Sequence, residues 1–376
     1  MTSSNSRNSA LSKLPASITL DFLLVIPSLK GGGSERKCEL IATQLHKLGK
    51  SVLVVVLNST QARNDFCFPV VSLGKLRVRH ALWELIQILK VVKPNCTVSF
   101  MTNTNLAAIV SLLFSGQRKT TRVICNEEAN FNLHKPNVIY RNLVRCLYPF
   151  ADEVHCVSDL ITLNMRLLIP KHAERIIRVP NPLDLERLRR ASRQPISKSL
   201  TFRSNSTKTL KILYLGRFSY EKGVDVLVDS LGILKLENYP FEAMLIGSGP
   251  MRESLEKQIR TLNLERNVRI VGWLENPYPV LNACDVLVSP SRSEGYPNVL
   301  IEALALDKNI IATKSGGPVE IIRNTGSGKL VDINSPNQIA VALSESNNIC
   351  HEPIQIRKLL AKHNSLSVVK KYYLKS

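Results

Sequence analysis

The sequence has few aromatic residues and no long apolar run. Aromatic residues make up 6% of the 376 residues, and no aromatic-rich basic strand or zinc-finger spacing occurs, so we expect no nucleic-acid partner. No run approaches the roughly 18 apolar residues that a membrane-spanning helix requires. The apolar stretch 20–27 is interrupted by Asp21 and Pro27, and no cleavage-like small-residue site follows it. We interpret this stretch as a first strand rather than a signal peptide.

Paired cysteines and metal-ligand spacings are also missing. The eight cysteines are scattered without a C-x-x-C pair, and the seven histidines show no metal-ligand spacing. Such cysteine usage is typical of a reduced compartment. We therefore expect a cytoplasmic protein that at most rests on a membrane. No Asp-x-Asp pair is present, and neither a metal nor another cofactor is predicted.

Acidic residues are the minority, and the basic excess is uneven. The chain has 50 Lys and Arg against 30 Asp and Glu, and residues 1–190 alone hold 26 against 13, whereas residues 209–376 hold 20 against 17. An excess in the first half favours an anionic partner, either an acidic membrane surface or a phosphorylated lipid. The alternative is that the charge only keeps the protein soluble.

Apolar strands and amphipathic helices alternate along both halves of the chain. Short strands that are apolar throughout, such as 51–57, are typical of parallel sheets buried on both faces. Residues 191–208 break this alternation and are interpreted as a linker. The sequence therefore predicts an α/β fold of two Rossmann-like, doubly wound domains. The predicted ranges are a disordered N-terminus 1–16, domains 17–190 and 209–350 joined by the linker 191–208, and a C-terminal helical segment 351–376.

One strand–loop–helix stretch, residues 284–305, carries paired acids. Pro297 is predicted to be the first helical residue, because its fixed φ suits that position. The amides of Asn298 and Val299 would then lie at a helix N-terminus, which favours a phosphate. Glu294 lies in the loop and Glu302 in the helix, and a carboxylate can accept hydrogen bonds from a sugar diol. The alternative is a loop acid followed by an ordinary solvated helix glutamate.

A second motif, Gly216–Gly223, follows the first strand of the second half. Gly216 permits a tight turn at the strand end, and Arg217 and Lys222 place two cations where a helix begins. Arg can clamp two oxygens of a diphosphate while Lys supplies a point charge. Read alone, these residues could also be two surface cations at a turn.

Both motifs resemble those of the retaining GT-B glycosyltransferases of family 4, the glycosyl transferases group 1. The resemblance rests on Glu294 and Glu302 with seven residues between them, and on the G-R and K-G spacing at 216–223. It implies two domains that face a cleft, an acceptor-side first domain, and a terminal helix that crosses back to it. It implies catalytic roles for Arg217, Lys222 and Glu294. The donor-binding residues that it implies are Gly32, Gly33, Gly216, Arg217, Lys222, Gly272, Trp273, Leu274, Glu294, Gly295, Tyr296, Asn298, Val299 and Glu302.

The first domain matches the family less closely. Its Gly31–Glu35 loop is similar to the family's Gly-Gly-Ala-Glu loop, with Ser34 in place of alanine, although a tight turn of any α/β fold would look the same. Many family members carry a histidine near the transferred sugar, where this chain has Asn126, Glu127 and Glu128. Glu127 is left as an acceptor-side candidate, and solvated loop acids are the alternative.

The resemblance implies a metal-independent transfer of a hexose or N-acetylhexosamine from a UDP- or GDP-sugar. The expected acceptor is a lipid-linked or lipopolysaccharide-type glycan at the inner face of the cytoplasmic membrane, in O-antigen, capsule or lipopolysaccharide biosynthesis. Two alternatives stay open, a nucleotide-sugar 2-epimerase of similar fold and a non-catalytic nucleotide-sugar-binding adaptor.

Overall fold

The computed structural model of the chain describes residues 20–29, 32–58, 66–128, 138–204 and 206–374. The predicted disordered segment 1–16 lies outside these residues. The chain forms two compact units, of which the first comprises the residues up to Leu183 together with Ser365–Ser376, and the second comprises Asp184–Asn364. Each unit has its own parallel sheet and its own hydrophobic core.

The first unit alternates strands and helices from its first strand onward. Its elements are β1 (Phe22–Ile26), α1 (Gly33–Lys47), β2 (Val52–Val56), β3 (Val70–Ser72), α2 (Leu82–Val92), β4 (Cys96–Phe100), α3 (Thr102–Ser115), β5 (Arg122–Glu127), α4 (Val138–Leu147), β6 (Glu153–Cys156), α5 (Asp159–Leu168) and β7 (Ile176–Arg178). The strands lie in the order β3-β2-β1-β4-β5-β6-β7 and pair in parallel.

The second unit repeats the same plan. Its elements are α6 (Leu185–Ser192), β8 (Leu210–Leu215), α7 (Val224–Leu236), β9 (Phe241–Ile246), α8 (Arg252–Thr261), β10 (Val268–Val271), α9 (Tyr278–Ala283), β11 (Val286–Ser289), α10 (Asn298–Ala305), β12 (Asn309–Thr313), α11 (Gly317–Thr325), β13 (Lys329–Val331), α12 (Pro336–Ser344) and α13 (Pro353–Lys362). The strands lie in the order β10-β9-β8-β11-β12-β13, again in parallel.

The central strands form because their residues can be buried on both faces. Every residue of β1 and β2 is buried, as is every residue of β9. Parallel strands joined by right-handed crossovers are covered by helices on both sides, so a strand without polar alternation is the stable choice. Each fully buried Val, Leu or Ile contributes roughly 1.5–3 kcal/mol relative to exposure. The predicted fold of two doubly wound, Rossmann-like domains is confirmed.

The predicted boundary between the domains was placed too late. The structure changes unit at Asp184, so 184–190 and the predicted linker 191–208 belong to the second unit. The reason is hydrogen bonding that the sequence does not show. Asn276 Nδ2 donates to the carbonyl oxygen of Ala191 at 3.0 Å, and the amide of Arg203 donates to Glu242 Oε2 at 2.6 Å. These bonds attach the segment to the second sheet and its helices.

The C-terminal segment 351–376 is two helices rather than one. The first, α13, belongs to the second unit, and the second, α14 (Ser365–Tyr372), belongs to the first. The helical conformation is interrupted at His363, whose buried ring stacks on Tyr296 at a centroid distance of 5.5 Å. Beyond the break, Ser365 Oγ accepts a hydrogen bond from Gln44 at 3.1 Å. The predicted return of a terminal helix to the first domain is confirmed.

Candidate functional site

The two motifs of the second unit meet because their strands are neighbours. The chain order reverses between β8 and β11, which lie side by side in the sheet. Loops at such a switch point, outside the carboxyl ends of the strands, form the usual ligand crevice of a doubly wound sheet. The loop after β8 holds Arg217 and Lys222, and the loop after β11 holds Glu294.

Lys222 and Glu294 form a close ion pair at this switch point. Lys222 Nζ lies 2.8 Å from Glu294 Oε1 and 2.6 Å from Oε2, and both side chains are partly exposed. The backbone of Glu294 is fixed as well, because its amide donates to the carbonyl oxygen of Ser315 at 3.0 Å. The structure therefore brings together the cation and the carboxylate to which the family resemblance gives catalytic roles. Their roles stay a prediction.

An arginine that the sequence interpretation did not single out fastens the two loops together. Arg292 donates to both carboxylate oxygens of Asp225, at 2.9 and 2.6 Å, and to the carbonyl oxygen of Tyr220 at 2.7 Å. The hydrogen bonds to Asp225 raise the pKa of Arg292 above its ordinary value. A bidentate pair of this kind fixes the relative orientation of the guanidinium and carboxylate planes in addition to pairing their charges. Because its partner lies 67 residues away, no spacing rule could have found this clamp.

Helix α10 begins one residue later than predicted. Pro297 is extended, with φ −74° and ψ 109°, and precedes the first helical residue Asn298. A proline can stand at this N-cap position for the same reason as at the first turn, because it has no amide hydrogen to satisfy. Asn298 and Val299 occupy the first two positions of the helix, the end whose dipole favours an anion.

Glu302 lies in the second turn of α10 and is almost fully buried. Its Oε1 accepts a hydrogen bond from the hydroxyl of Tyr278, in α9, at 3.0 Å. Burial in this manner holds a carboxylate in one orientation, which is what recognition of a diol needs. Tyr278 is a second residue that the sequence interpretation missed.

The remaining residues predicted to bind the donor lie at several places in the second unit, and their roles stay predictions. Arg217 is exposed and Gly216 directly precedes it, at the end of β8. Gly272, Trp273 and Leu274 follow β10, and the Trp273 side chain is half exposed. Gly295 is partly exposed. The Tyr296 side chain, by contrast, is buried with its hydroxyl 3.2 Å from His363 Nε2. Tyr296 could therefore contact a sugar donor only through its main-chain atoms.

The first unit holds the other predicted residues. Gly32 is the N-cap of α1 and Gly33 its first residue, and the Gly32 amide donates to the Glu35 carboxylate. Glu127 was proposed as an acceptor-side acid, and the structure contradicts this. Its side chain is fully buried, with Oε1 accepting from Thr102 at 2.8 Å and Oε2 from Tyr148 at 2.6 Å. Both oxygens are therefore occupied inside the core.

The described ranges show neither a cluster of metal ligands nor a helix that could span a membrane. No group of three or more His, Cys, Asp or Glu residues among them could hold a metal ion. None of the helices in the described part of the chain is both long enough and apolar enough to cross a bilayer. The metal independence of the reaction stays a prediction.

Comparison with known proteins gives one family and several relatives. Residues 198–348 match the family described as glycosyl transferases group 1. A Campylobacter jejuni protein named GalNAc-α-(1→4)-GalNAc-α-(1→3)-diNAcBac-PP-undecaprenol α-1,4-N-acetyl-D-galactosaminyltransferase is 25% identical over 369 residues, which cover 93% of this chain and 96% of that protein. An uncharacterised glycosyltransferase of Methanocaldococcus jannaschii is 23% identical over 278 residues, 71% of this chain and 66% of that protein.

A solved structure shows the same architecture. HepE from Anabaena, crystallised in complex with UDP, superposes with a TM-score of 0.73 at 16% identity, covering 94% of this chain and 98% of that chain. At this identity the likeness shows the fold alone, whereas the family match covers both motifs of the switch point between β8 and β11. The chain has a GT-B fold, and residues 198–348 of its second unit match the glycosyl transferases group 1.

Proposed function

We propose that the protein transfers a hexose or N-acetylhexosamine from a UDP- or GDP-sugar to a glycan acceptor with retention of configuration. The observation that carries this proposal is the Lys222–Glu294 pair at the switch point, at 2.6 Å. A loop carboxylate and a cation held at one point provide complementary charges for a sugar and for its diphosphate. This arrangement suits the breaking of a sugar–phosphate bond.

The proposed chemistry assigns each group a charge to stabilise. Negative charge develops on the diphosphate as the bond breaks, and Arg217, Lys222 and the N-terminus of α10 would stabilise it without a metal. Positive charge develops on the sugar ring, and Glu294 would face it. Glu302 and the main chain of 272–274 would hold the nucleoside.

The two alternatives predict different products. An epimerase would convert the nucleotide sugar without an acceptor, and an adaptor would bind it unchanged. We expect the purified protein to release nucleoside diphosphate from one member of a panel of UDP- and GDP-sugars, and to do so faster with a glycan acceptor present. Release is measured by chromatography of the nucleotide products. Formation of an epimeric sugar nucleotide, or binding without turnover, would overturn the proposal.

The acceptor is proposed to be a lipid-linked glycan of surface polysaccharide biosynthesis. Support comes from the Campylobacter relative, whose name specifies a glycan on undecaprenyl diphosphate. The basic excess of the first 190 residues gives independent support, because such lipids are anionic. The protein would then work in the cytoplasm, attached peripherally to the inner face of the membrane.

The first unit presents an apolar and basic surface suited to an anionic bilayer. Because β4, β5, β6 and β7 are consecutive neighbours and parallel crossovers are right-handed, α3, α4 and α5 cover the same face of the sheet. Large apolar side chains are exposed on all three helices. They are Leu113, Phe114, Val138, Ile139, Leu143, Leu160, Leu163 and Leu167. Helix α4 also carries Arg141 and Arg145 and has no acidic residue.

Substitutions on α4 are expected to weaken binding to anionic vesicles. Changing Ile139→Ser and Leu143→Ser together removes two inserting side chains and should lower the partition coefficient at least about tenfold. Changing Arg141→Gln and Arg145→Gln should cost a similar factor at low salt only, since each cation near the surface contributes about 1 kcal/mol. Co-sedimentation with vesicles of phosphatidylglycerol and phosphatidylcholine measures both effects.

The matched control is Leu236→Ser, which alters a leucine of the second unit that is more exposed than either Ile139 or Leu143. It should bind vesicles like the parent. Vesicles of phosphatidylcholine alone should bind the parent weakly, and added salt should weaken anionic binding because exposed charges are screened over about 8–10 Å. Equal binding to neutral and anionic vesicles would contradict this part of the proposal.

A further inference from the structure

The first unit has a switch point of its own, between β1 and β4. The strand order β3-β2-β1-β4 reverses there, and the loops after β1 and β4 lead into α1 and α3. Ligands of doubly wound sheets bind outside the carboxyl ends of the strands at such a reversal. The first unit therefore has a candidate ligand crevice in addition to the one between β8 and β11.

Met101, at the end of β4, has a strained backbone. Its φ of +71° and ψ of 142° lie in a region that residues other than glycine rarely adopt. Hydrogen bonds hold it there, because its amide donates to the carbonyl oxygen of Asn126 at 3.1 Å and its own carbonyl accepts from Asn105 at 2.9 Å. The side chain is 45% exposed. Strain that the surroundings enforce is concentrated at functional sites.

A buried lysine lies on α1 at the same end of the sheet. The side chain of Lys37 is 1% exposed, and its ammonium nitrogen lies 3.7 Å from Glu128 Oε1. Within the described residues, neither of these two atoms has a hydrogen-bond partner. A buried ammonium that lacks hydrogen bonds is costly to a fold. Its presence beside a single carboxylate is therefore evidence that the carboxylate is held for a purpose other than stability.

Glu128 differs from its neighbour Glu127 in direction and in exposure. Glu127, the last residue of β5, contacts Thr102 of α3, whereas Glu128, which follows the strand, contacts Ser34 and Lys37 of α1. The Glu128 side chain is 18% exposed, and its Oε2 accepts a hydrogen bond from the Ser34 hydroxyl of the glycine-rich loop. A carboxylate oxygen can accept a second hydrogen bond. A ligand hydroxyl can therefore reach Glu128 but not Glu127.

We propose that Glu128 receives a hydroxyl of the acceptor sugar at the switch point of the first sheet, and that Lys37 and Ser34 are its positioning residues. This inference rests on the proposed glycosyl transfer, for which it names the acceptor-recognising group. A fixed carboxylate recognises a neutral sugar with free hydroxyls and repels a uronic acid. Met101 lies at the end of β4 in the same crevice, where its exposed thioether side chain can contact the apolar face of a sugar ring.

The test separates acceptor recognition from donor chemistry. Glu128→Gln should raise the acceptor KM by about tenfold or more, because the charged acceptor of a hydrogen bond becomes a neutral one. The donor KM and the slow release of nucleoside diphosphate without acceptor should not change. The probes are undecaprenyl diphosphate disaccharides ending in N-acetylgalactosamine, N-acetylglucosamine, galactose or glucose. The control is Glu174→Gln, an exposed acid of the same unit, which should match the parent.

Two further variants test the positioning residues. Ser34→Ala removes one contact to Glu128 without burying a charge, and should raise the acceptor KM severalfold with kcat nearly unchanged. Lys37→Met should act only through Glu128, so its effect on the acceptor KM should vanish when Glu128→Gln is already present. A purely structural lysine would instead show equal effects in both backgrounds, or lower the unfolding temperature without changing the acceptor KM of the folded protein.

The outcomes distinguish this inference from the proposed function. A parent protein that uses none of the probes with any donor contradicts the proposed glycosyl transfer. An active parent whose Glu128→Gln variant keeps the acceptor KM contradicts the inference alone. An unchanged acceptor KM in Ser34→Ala would overturn the positioning role of the glycine-rich loop, even where Lys37→Met fails to fold.

Discussion

Lys222→Ala is expected to lower kcat by about 10²–10³, with a far smaller rise in the donor KM. The charge on the diphosphate grows as the sugar–phosphate bond breaks, so a cation held beside it stabilises the transition state more than the ground state. Both carboxylate oxygens of Glu294 hold the Lys222 ammonium group in position. Arg217→Ala should behave similarly, because the exposed guanidinium follows Gly216 in the same loop.

Steady-state kinetics with a chelator present throughout provide the measurement. The matched control is Lys314→Ala, which removes an exposed ion pair with Asp332 of similar length, 2.7 Å, in the same unit. It should leave both constants unchanged. If parent activity disappears with the chelator, or if both cation variants change only the donor KM, then a metal or ground-state binding handles the diphosphate and the proposed mechanism is wrong.

Gly223→Ala is expected to destabilise the second unit by about 2–4 kcal/mol. Gly223 precedes α7 with φ +61°, a conformation that costs any other residue energy. A Cβ at this position would also overlap the carbonyl oxygen of Pro290, in the loop that carries Glu294. Two backbones meet here, and neither can move without shifting the switch point between β8 and β11.

Calorimetry can separate the cost of the backbone conformation from the cost of the contact with Pro290, by comparison with a second glycine. Gly326 has almost the same φ, +63°, but a Cβ there would meet only the flexible side chain of Glu352. Gly326→Ala should therefore lower the unfolding temperature by about 2–4 °C, whereas Gly223→Ala should lower it by about 5–15 °C. Equal shifts would show that the contact with Pro290 is unimportant and that only the backbone conformation matters.

The strands and the paired motifs could be predicted because their signals are local. Runs such as the residues of β1 and β2 are apolar throughout, which indicates burial on both faces. Each motif follows a mostly apolar strand, so its position at a carboxyl end was predictable. Lys222 meets Glu294 because β8 and β11 are adjacent in the sheet. This adjacency depends on the strand order and could not be predicted from the spacing of residues in the sequence.

The misplaced features depend on contacts between residues distant in sequence. Glu127 and Glu128 look equivalent in the sequence, and only their contacts show that Glu127 enters the core while Glu128, just past the end of β5, lies against α1. The clamp between Arg292 and Asp225 has no local pattern. The exposure of the leucines and isoleucines on α4 and α5 also has no local sign, because such side chains are usually expected in a core. The same exposed side chains form the proposed membrane surface.

The distribution of cysteines has a practical consequence. Cys38, Cys96, Cys125, Cys156 and Cys284 are buried, and burial raises the pKa of Cys96, Cys125 and Cys284 to about 12. Alkylating reagents attack the thiolate, so at neutral pH these buried thiols are inert. The exposed cysteines are Cys67, Cys146 and Cys350. Cys67 and Cys146 lie in the first unit, Cys146 on α4, and Cys350 lies in the second, so a fluorescent dye can be attached to the unaltered chain both on the proposed membrane-facing helix and, for reference, in the other unit.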